Sequence, residues 1–421
     1  MASELLRPRL RSLELFPLGP PEELLFALRD PEGFADGVAL PYAAAMLATL
    51  MDGSRTLSQI QSDFQSQAGT AVALADLEQF VARLDAGHLL DSPQFTALKQ
   101  SASQAFLDSP VRAAAHAGAA YPSDPDALRR QLAECFNCDE GPGIAGPDPS
   151  AGGGSGRLRG VLSPHIDLTR GGPAFAWAYQ CLVEDGDADV FVILGTSHSP
   201  LAQVCSVSRK HFATPLGTVE TDGEFIDRLD HELASTGIAI DIFQDELVHR
   251  HEHSIEFQVL FLQYLLAGRR PFKVVPILTA SFQPFVASAT RPTASAEFTA
   301  FVAALRATEA AWPKKVCYIS GGDLAHVGPR FGDDWLLDEE RLAARADDDH
   351  RLLAAACDAD AEGFFDHVAR QHDAGRICGL SPTYTLMQVA APSRGELLKY
   401  SQAVDESGTS CVSFASLAFY A

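Results

Sequence analysis

The stretch Asp189-Val190-Phe191-Val192-Ile193-Leu194-Gly195-Thr196-Ser197-His198 decides the fold class of this chain. Residues 190–194 are an unbroken apolar run, which fits a strand covered on both faces, as in a parallel sheet layered between helices. Residues 160–162, 272–278 and 315–319 read as further strands. Helical segments fall between or after them at residues 175–184, 224–233, 254–266, 295–308 and 360–371. Another helix, residues 124–135, precedes them, with Ser123 and Pro125 as cap and first-turn residues. Residues 397–402 and 412–420 read as two closing strands. Strands alternating with helices predict an α/β domain with a mostly parallel central sheet.

Open α/β sheets bind ligands beyond the carboxyl ends of their strands, so residues distant in sequence can meet there. Three segments put chemistry at such ends: Ser163-Pro164-His165, Gly195-Thr196-Ser197-His198, and Gly321-Gly322-Asp323-Leu324-Ala325-His326. Two more accompany them, His251-Glu252-His253-Ser254-Ile255-Glu256 and Ile377-Cys378-Gly379. Two or three imidazoles with a thiolate or carboxylate are transition-metal chemistry. Asp323 and His326 would share a face if a helical turn began there, and could then orient ligands or move protons. The plainer reading makes Asp323 the cap of that turn. Cys378 is either inert packing or the thiolate of a site. His249, His251 and His253 alternate, which allows an extended His-x-His ligand pair. The apolar spacing of Ile255, Val259 and Leu262 favours a helix start instead, with His249 and Arg250 as a solvated charged cap. The run lacks the zinc-protease order of His, Glu, two spacers and His. Cys135-Phe136-Asn137-Cys138 has no second pair at zinc spacing and reads as structural.

A chain of 421 residues suggests two or three domains, and 47% apolar content lets them pack. A formal net charge of −23 disfavours nucleic acid and anionic lipid as partners. No apolar run approaches the roughly 18 residues of a membrane span, and no apolar region marks a secretory signal, so a cytoplasmic location is expected. The eight cysteines lack framework spacing, and reduced thiols are expected. Residues 139–156, rich in glycine and proline, read as an exposed, mobile, linker-like insertion. A domain boundary is expected within residues 94–114. Residues 1–95 read as a small unit. It has strands at 23–29 and 37–40 around the turn Asp30-Pro31-Glu32-Gly33, helices at 42–51, 56–65 and 74–86, and a last strand at 88–90.

That order, with Met51-Asp52-Gly53-Ser54-Arg55-Thr56 and Leu84-Asp85-Ala86-Gly87-His88-Leu89-Leu90, resembles the PqqD-like winged-helix fold, a small α+β domain. The resemblance implies a peptide or protein partner and work beside a radical-SAM enzyme; a plain structural winged helix is the other reading. Residues 114–421 resemble the MEMO family. The motifs are Ala117-Gly118-Ala119-Ala120-Tyr121-Pro122, Pro164-His165, Gly172-Pro173, Ile193 to His198, and Thr214-Pro215-Leu216-Gly217. Glu252-His253-Ser254-Ile255-Glu256, Gly322 to His326, Ile377-Cys378-Gly379, Tyr400 and Ser413 complete the order. The resemblance implies a fold similar to class III extradiol dioxygenases, which are non-haem iron enzymes. Family metal ligands fall on His165, His198 and Cys378, and neighbouring acid–base positions on Asp323, His326 and His253. A thiolate is softer than the dioxygenase carboxylate, which favours copper(I) alongside iron(II), with zinc third. The chain departs from the family at Ile166-Asp167, Ser199 and Gly321-Gly322. Three functions follow as expectations. The first is an iron- or copper-dependent, dioxygenase-like oxidoreductase in which His326 or His253 is acid or base and Asp323 orients it. The second is a non-catalytic metal- or peptide-binding accessory protein. The third is a zinc hydrolase.

Overall fold

In the computed structural model, which describes residues 7–18, 25–30, 32–35, 37–143 and 157–421, the chain divides into Met1–Asp108 and Ser109–Ala421. Most of the glycine-rich insertion, residues 144–156, lies outside the described residues.

In the first unit, β1 (Glu14–Leu18), β2 (Leu25–Arg29) and β3 (Val38–Pro41) form an antiparallel sheet in that order. Four helices follow: α1 (Tyr42–Thr49), α2 (Leu57–Ala68), α3 (Leu74–Ala86) and α4 (Pro93–Asp108). Thr56 and Gln59 cap α2 reciprocally, and Gly69 ends it in the left-handed conformation. Ile60, Phe64, Leu77, Val81 and Leu84 meet in its core. The division at Asp108/Ser109 falls inside the stretch expected to hold a boundary, most of which is helix α4, whose few apolar residues, among them buried Phe95 and Phe106, gave little periodic signal. Residues 88–90 contribute only a bridge between Leu90 and Leu10. Arg11 forks onto buried Asp30 at 2.9 and 3.0 Å, and its guanidinium lies 3.7 Å from the Phe95 ring centre.

The second unit begins with β4 (Val111–Arg112), α5 (Pro125–Asn137), β5 (Leu158–Ser163), α6 (Leu168–Glu184) and β6 (Val190–Thr196). Next come β7 (Cys205–Val207), β8 (His211–Thr214), β9 (Gly217–Val219), α7 (Gly223–Ser235), α8 (His253–Leu266) and β10 (Lys273–Thr279). Then follow α9 (Gln283–Ser288), α10 (Ala296–Ala311), β11 (Val316–Gly321), β12 (His326–Val327), α11 (Glu339–Cys357), α12 (Ala361–Arg370) and α13 (Leu380–Ala390). The hairpin β13 (Arg394–Val404) and β14 (Cys411–Tyr420) closes the chain.

The large sheet has the order β12-β14-β5-β11-β6-β10-β7, with β13 on β14. Only β5, β11, β6 and β10 run parallel; β7, β12, β13 and β14 pair antiparallel. The sheet is therefore mixed, with a parallel centre, rather than mostly parallel. The difference lies in the connections. A parallel neighbour needs a long crossover, whereas β13 and β14 are joined by residues 405–410 alone and must return antiparallel. All seven residues of β6 are buried. A small separate sheet has the order β4-β8-β9.

Register positions the site. Gly321 at the end of β11 pairs with Ser163 of β5 and with Gly195 of β6. The three strands end level, so the segments carrying His165, His198 and Asp323 leave side by side. Helix α8 lies close against this edge. A methyl group on Gly321 would stand 2.6 Å from the Ser254 carbonyl oxygen, and one on Gly195 2.5 Å from the Ser254 hydroxyl. Among the described residues no helix is long and apolar enough to cross a membrane.

Candidate metal centre

His165 is the hub. Its ring is buried just past β5, and Nδ1–H donates to the Gly321 carbonyl at 3.0 Å. That bond fixes the tautomer and leaves Nε2 unprotonated, an acceptor for the Cys378 thiol at 3.3 Å and 3.7 Å from Asp323 Oδ2. Burial, helped by the neighbouring His198, brings its pKa down to about 3, so the ring is neutral near pH 7. Asp323 Oδ1 accepts the backbone N–H groups of His165 at 2.9 Å and Ile166 at 3.2 Å. Burial raises the Asp323 carboxyl above its ordinary value.

Asp323 and His326 do not share a helical turn. Leu324 donates its N–H to Ser413 O at 2.8 Å, and Ser413 donates its own to Ala325 O at 2.9 Å, which holds residues 324–325 extended along β14. Asp323 therefore caps the backbone of a different strand end. His326 opens β12 and shares its Nδ1–H between the carbonyls of Leu324 and Arg376, both at 3.2 Å. Burial lowers its pKa, opposed by the charge of Asp323.

Cys378 directly precedes Gly379, the N-cap of α13. Its Sγ also lies 3.7 Å from the Asp323 carbonyl oxygen. Burial, then the Asp323 charge, pushes the thiol well above its ordinary value. A bound cation reverses that balance and takes the thiolate. The segment leading to it is strained: His372, Asp373 and Arg376 hold φ of 51°, 52° and 54° without being glycine.

His198, just past β6, is partly exposed, and its Nδ1–H faces both carboxylate oxygens of Glu252 at 3.1 Å. Glu252 also accepts the His198 N–H at 2.9 Å and caps α8 through the N–H groups of His253 at 2.8 Å and Ser254 at 3.0 Å. Burial alone would raise Glu252, yet the hydrogen bonds and charge of His198, with His253, hold it well below the carboxylate range. Reciprocally, Glu252 overcomes burial and raises His198. His253, the first residue of α8, stacks on His198 with ring centres 4.8 Å apart and planes 21° apart. Burial sets the His253 pKa well below its ordinary value.

Donor atoms converge in two groups, His165 with His198 and His253, and His165 with Asp323 and Cys378. Within each group all lie within 4.8 Å of one another. His165 is common to both, His198 and Cys378 fall in different groups, and His326 is in neither. The residues fit a transition metal. The two imidazoles with fixed tautomers have their Nδ1–H groups held by a carbonyl and a carboxylate, the usual support for Nε2 ligation, and a soft thiol stands beside them.

Part of the support gave no clear signal in sequence. Arg112 forms a buried pair with Glu256 and donates to the carbonyls of His249 at 2.6 Å and Glu252 at 2.8 Å. Tyr121 donates its hydroxyl to Glu256, and His116 its N–H at 3.0 Å. The segment around Ala117-Gly118 is thereby tied beneath the first turn of α8. The His116 ring stands edge-on to His253 with centres 5.7 Å apart. Arg112 and His116 sit beside that motif, which was the available clue. The extended His-x-His reading fails. Glu246–Arg250 is a 3-10 helix, and His249 is fully buried rather than solvated, donating Nε2–H to Ser206 O at 3.1 Å.

The model of the Memo family, described as Memo-like protein, matches residues 112–418. A MEMO1 family protein of Aquifex aeolicus is 25% identical over 423 residues, covering 99% of this chain and 100% of the relative. MEMO1 family proteins of Methanopyrus kandleri and Methanothermobacter thermautotrophicus are each 31% identical, over 314 and 313 residues. Each covers 73% of this chain, and 98% and 99% of the respective relative.

Proposed function

We propose that this chain, which belongs to the Memo family, binds one redox-active transition metal at the carboxyl edge of its parallel strands and acts there as an oxidoreductase. The observation that carries the reading is the convergence of both donor groups on His165, whose unprotonated Nε2 faces Cys378 and Asp323. His165, His198 and Cys378 are the proposed ligands, with His253 and Asp323 beside them. Iron(II) is the proposed ion, copper the competitor favoured by the thiol, and zinc the weaker third. Bound there, the ion would supply electron transfer and a coordination position for substrate.

The chain's own residues supply proton handling. Asp323 keeps Oδ1 engaged by two backbone donors and leaves Oδ2, 3.7 Å from His165 Nε2, as a proton acceptor. His326 keeps its Nδ1 proton pinned and presents Nε2 as the acceptor. His253 is held neutral and stacked, ready to take a proton when charge develops beside it.

The test is metal analysis of the full chain purified without added metal and under low oxygen. Near one iron or copper per chain, lost in His165→Ala and His198→Ala, supports the reading. Substoichiometric metal that ignores both substitutions ends it, and zinc with ester hydrolysis would move the assignment to a hydrolase.

A second role is favoured by the relative from Aquifex, which matches the whole chain, whereas the archaeal relatives cover 73% of it. The first unit, read as a PqqD-like winged helix, would bring a peptide or a radical-SAM partner to a cytoplasmic protein. Peptide capture by the full chain, lost when the first unit is removed, tests it; equal capture by both forms would sink it.

A further inference from the structure

Asp349 of α11 is a fully buried carboxylate to which the metal centre gives no direct task. Tyr400 of β13 donates its hydroxyl to Oδ2 at 2.9 Å, and the Ser413 side chain of β14 stands beside the same carboxylate. Arg345, one turn earlier on α11 and partly buried, pairs with Asp348 through Nη2 and places its Nε 3.0 Å from Oδ1 as an ion-pair contact. Burying an ion pair is a poor way to gain stability, because both ions lose water; its clearest use is to fix one arrangement over others.

The arrangement fixed here leads to the metal centre by two routes. The Ser413 hydroxyl oxygen, beside Asp349, accepts the Ala325 N–H at 2.9 Å. The Ser413 backbone grips the same place, through Leu324 and Ala325. Those two residues lie between Asp323 and His326. The second route runs through Arg345, against whose Nη1 a methyl group on Gly375 would stand at 3.1 Å. The Gly375 carbonyl accepts the His326 N–H at 2.7 Å, and Cys378 follows three residues later.

We infer that the contact of partly buried Arg345 with buried Asp349 is a positioning device that holds the segment of Asp323 and His326, and the segment of Cys378, in register at the metal centre. Arg345 and Asp349 touch none of the proposed ligands, so they are positioning residues. The effect on metal affinity rests on the metal-centre reading; the effect on His326 does not.

The experiment uses the full chain, metal-free and labelled with 15N-histidine, as wild type, Asp349→Ala, Asp349→Asn and Ser413→Ala. His326→Gln identifies the His326 signal. Wild type should show His326 in the Nδ1–H tautomer. Asp349→Ala and Ser413→Ala should shift that signal or mix the tautomers, and iron(II) affinity should fall about 10- to 100-fold. Asp349→Asn keeps an acceptor for one hydroxyl and should lose less. Folded Asp349→Ala and Ser413→Ala with an unmoved His326 signal and affinity within twofold of wild type overturn the inference. If Asp349→Ala does not fold, Ser413→Ala, which removes a single oxygen, decides it. If wild type takes up no iron(II), the metal reading fails, and the tautomer signal still decides the positioning device.

Discussion

His165 and Cys378 lie 213 positions apart in sequence, yet the imidazole Nε2 and the thiol Sγ stand 3.3 Å apart. Two features bring them together. Strand β5 ends level with β11, and α13 starts above the edge with Gly379 packed on Gly322, where a methyl on Gly322 would come within 2.4 Å of the Gly379 Cα. The pair joins the harder and softer halves of the donor set, so its loss should change metal choice more than metal capacity. Cys378→Ser should weaken copper(I) binding at least about tenfold while iron(II) weakens less, because a hydroxyl is a poor ligand for a soft ion. Anaerobic competition titrations with both ions measure the ratio; equal losses would remove the sulfur from the proposed ligand set.

Glu252 serves two elements at once, capping α8 and orienting His198. Glu252→Gln retains one carbonyl acceptor but forfeits the charge. It should lower metal affinity about 10- to 100-fold through His198 and stability by about 1 kcal/mol through the cap. Isothermal titration and urea unfolding separate the two effects. A stability loss alone would confine Glu252 to capping.

The central strand was legible because a strand buried on both faces is an apolar run with no alternation, and residues 190–194 are such a run. The strand-end histidines were legible for the same reason: a run that stops abruptly at Gly195 marks its own carboxyl end. The antiparallel flanks were not, because strand direction depends on connection length in space, and β12 has only two residues. Helix α4 was hidden by its sparse apolar residues. Which donors face one another depends on the depth of α8 against Gly195 and Gly321, a contact carried by backbone atoms that leaves little trace in sequence spacing.

Buried histidines make the folded chain sensitive to acid. His249 and His165 have pKa values brought down by burial from 6.5 to about 3. Between those values the unfolded chain binds protons that the folded chain refuses, so stability is full above about pH 6.5 and declines as pH falls toward 3. The slope should be about 1.4 kcal/mol per pH unit for each such histidine. In metal-free protein, His249→Gln should flatten the decline of unfolding free energy between pH 6.5 and 4.5 by about that slope. An unchanged slope would mean that His249 is charged or solvated in the folded state.

Arg112 and Glu256 are both buried, and Glu256 also takes the Tyr121 hydroxyl. Removing only the cation leaves a carboxylate that cannot reach water. Arg112→Met should cost about 3–5 kcal/mol, and the double variant Arg112→Met with Glu256→Gln should recover part of it. Chemical denaturation of the four proteins gives the coupling. Additive losses would show that the two side chains act independently.

Gly321 tests whether the approach of α8 sets the site. An added methyl would press on the Ser254 carbonyl oxygen at 2.6 Å and on Gln258 Nε2 at 3.0 Å. The first is backbone, so α8 must move, taking His253 and the Glu252 cap with it. Gly321→Ala should therefore destabilise by about 1–3 kcal/mol and weaken metal binding together, since overpacking displaces what it touches. Gly223, the first residue of α7, has open space around its missing Cβ, so Gly223→Ala should leave metal binding unchanged and stability within about 0.5 kcal/mol. Thermal melts and metal titrations of the two variants, side by side, provide the comparison. Wild-type metal affinity in folded Gly321→Ala would show that the donors tolerate a displaced helix, and the depth of α8 would then not be what brings His253 to His165.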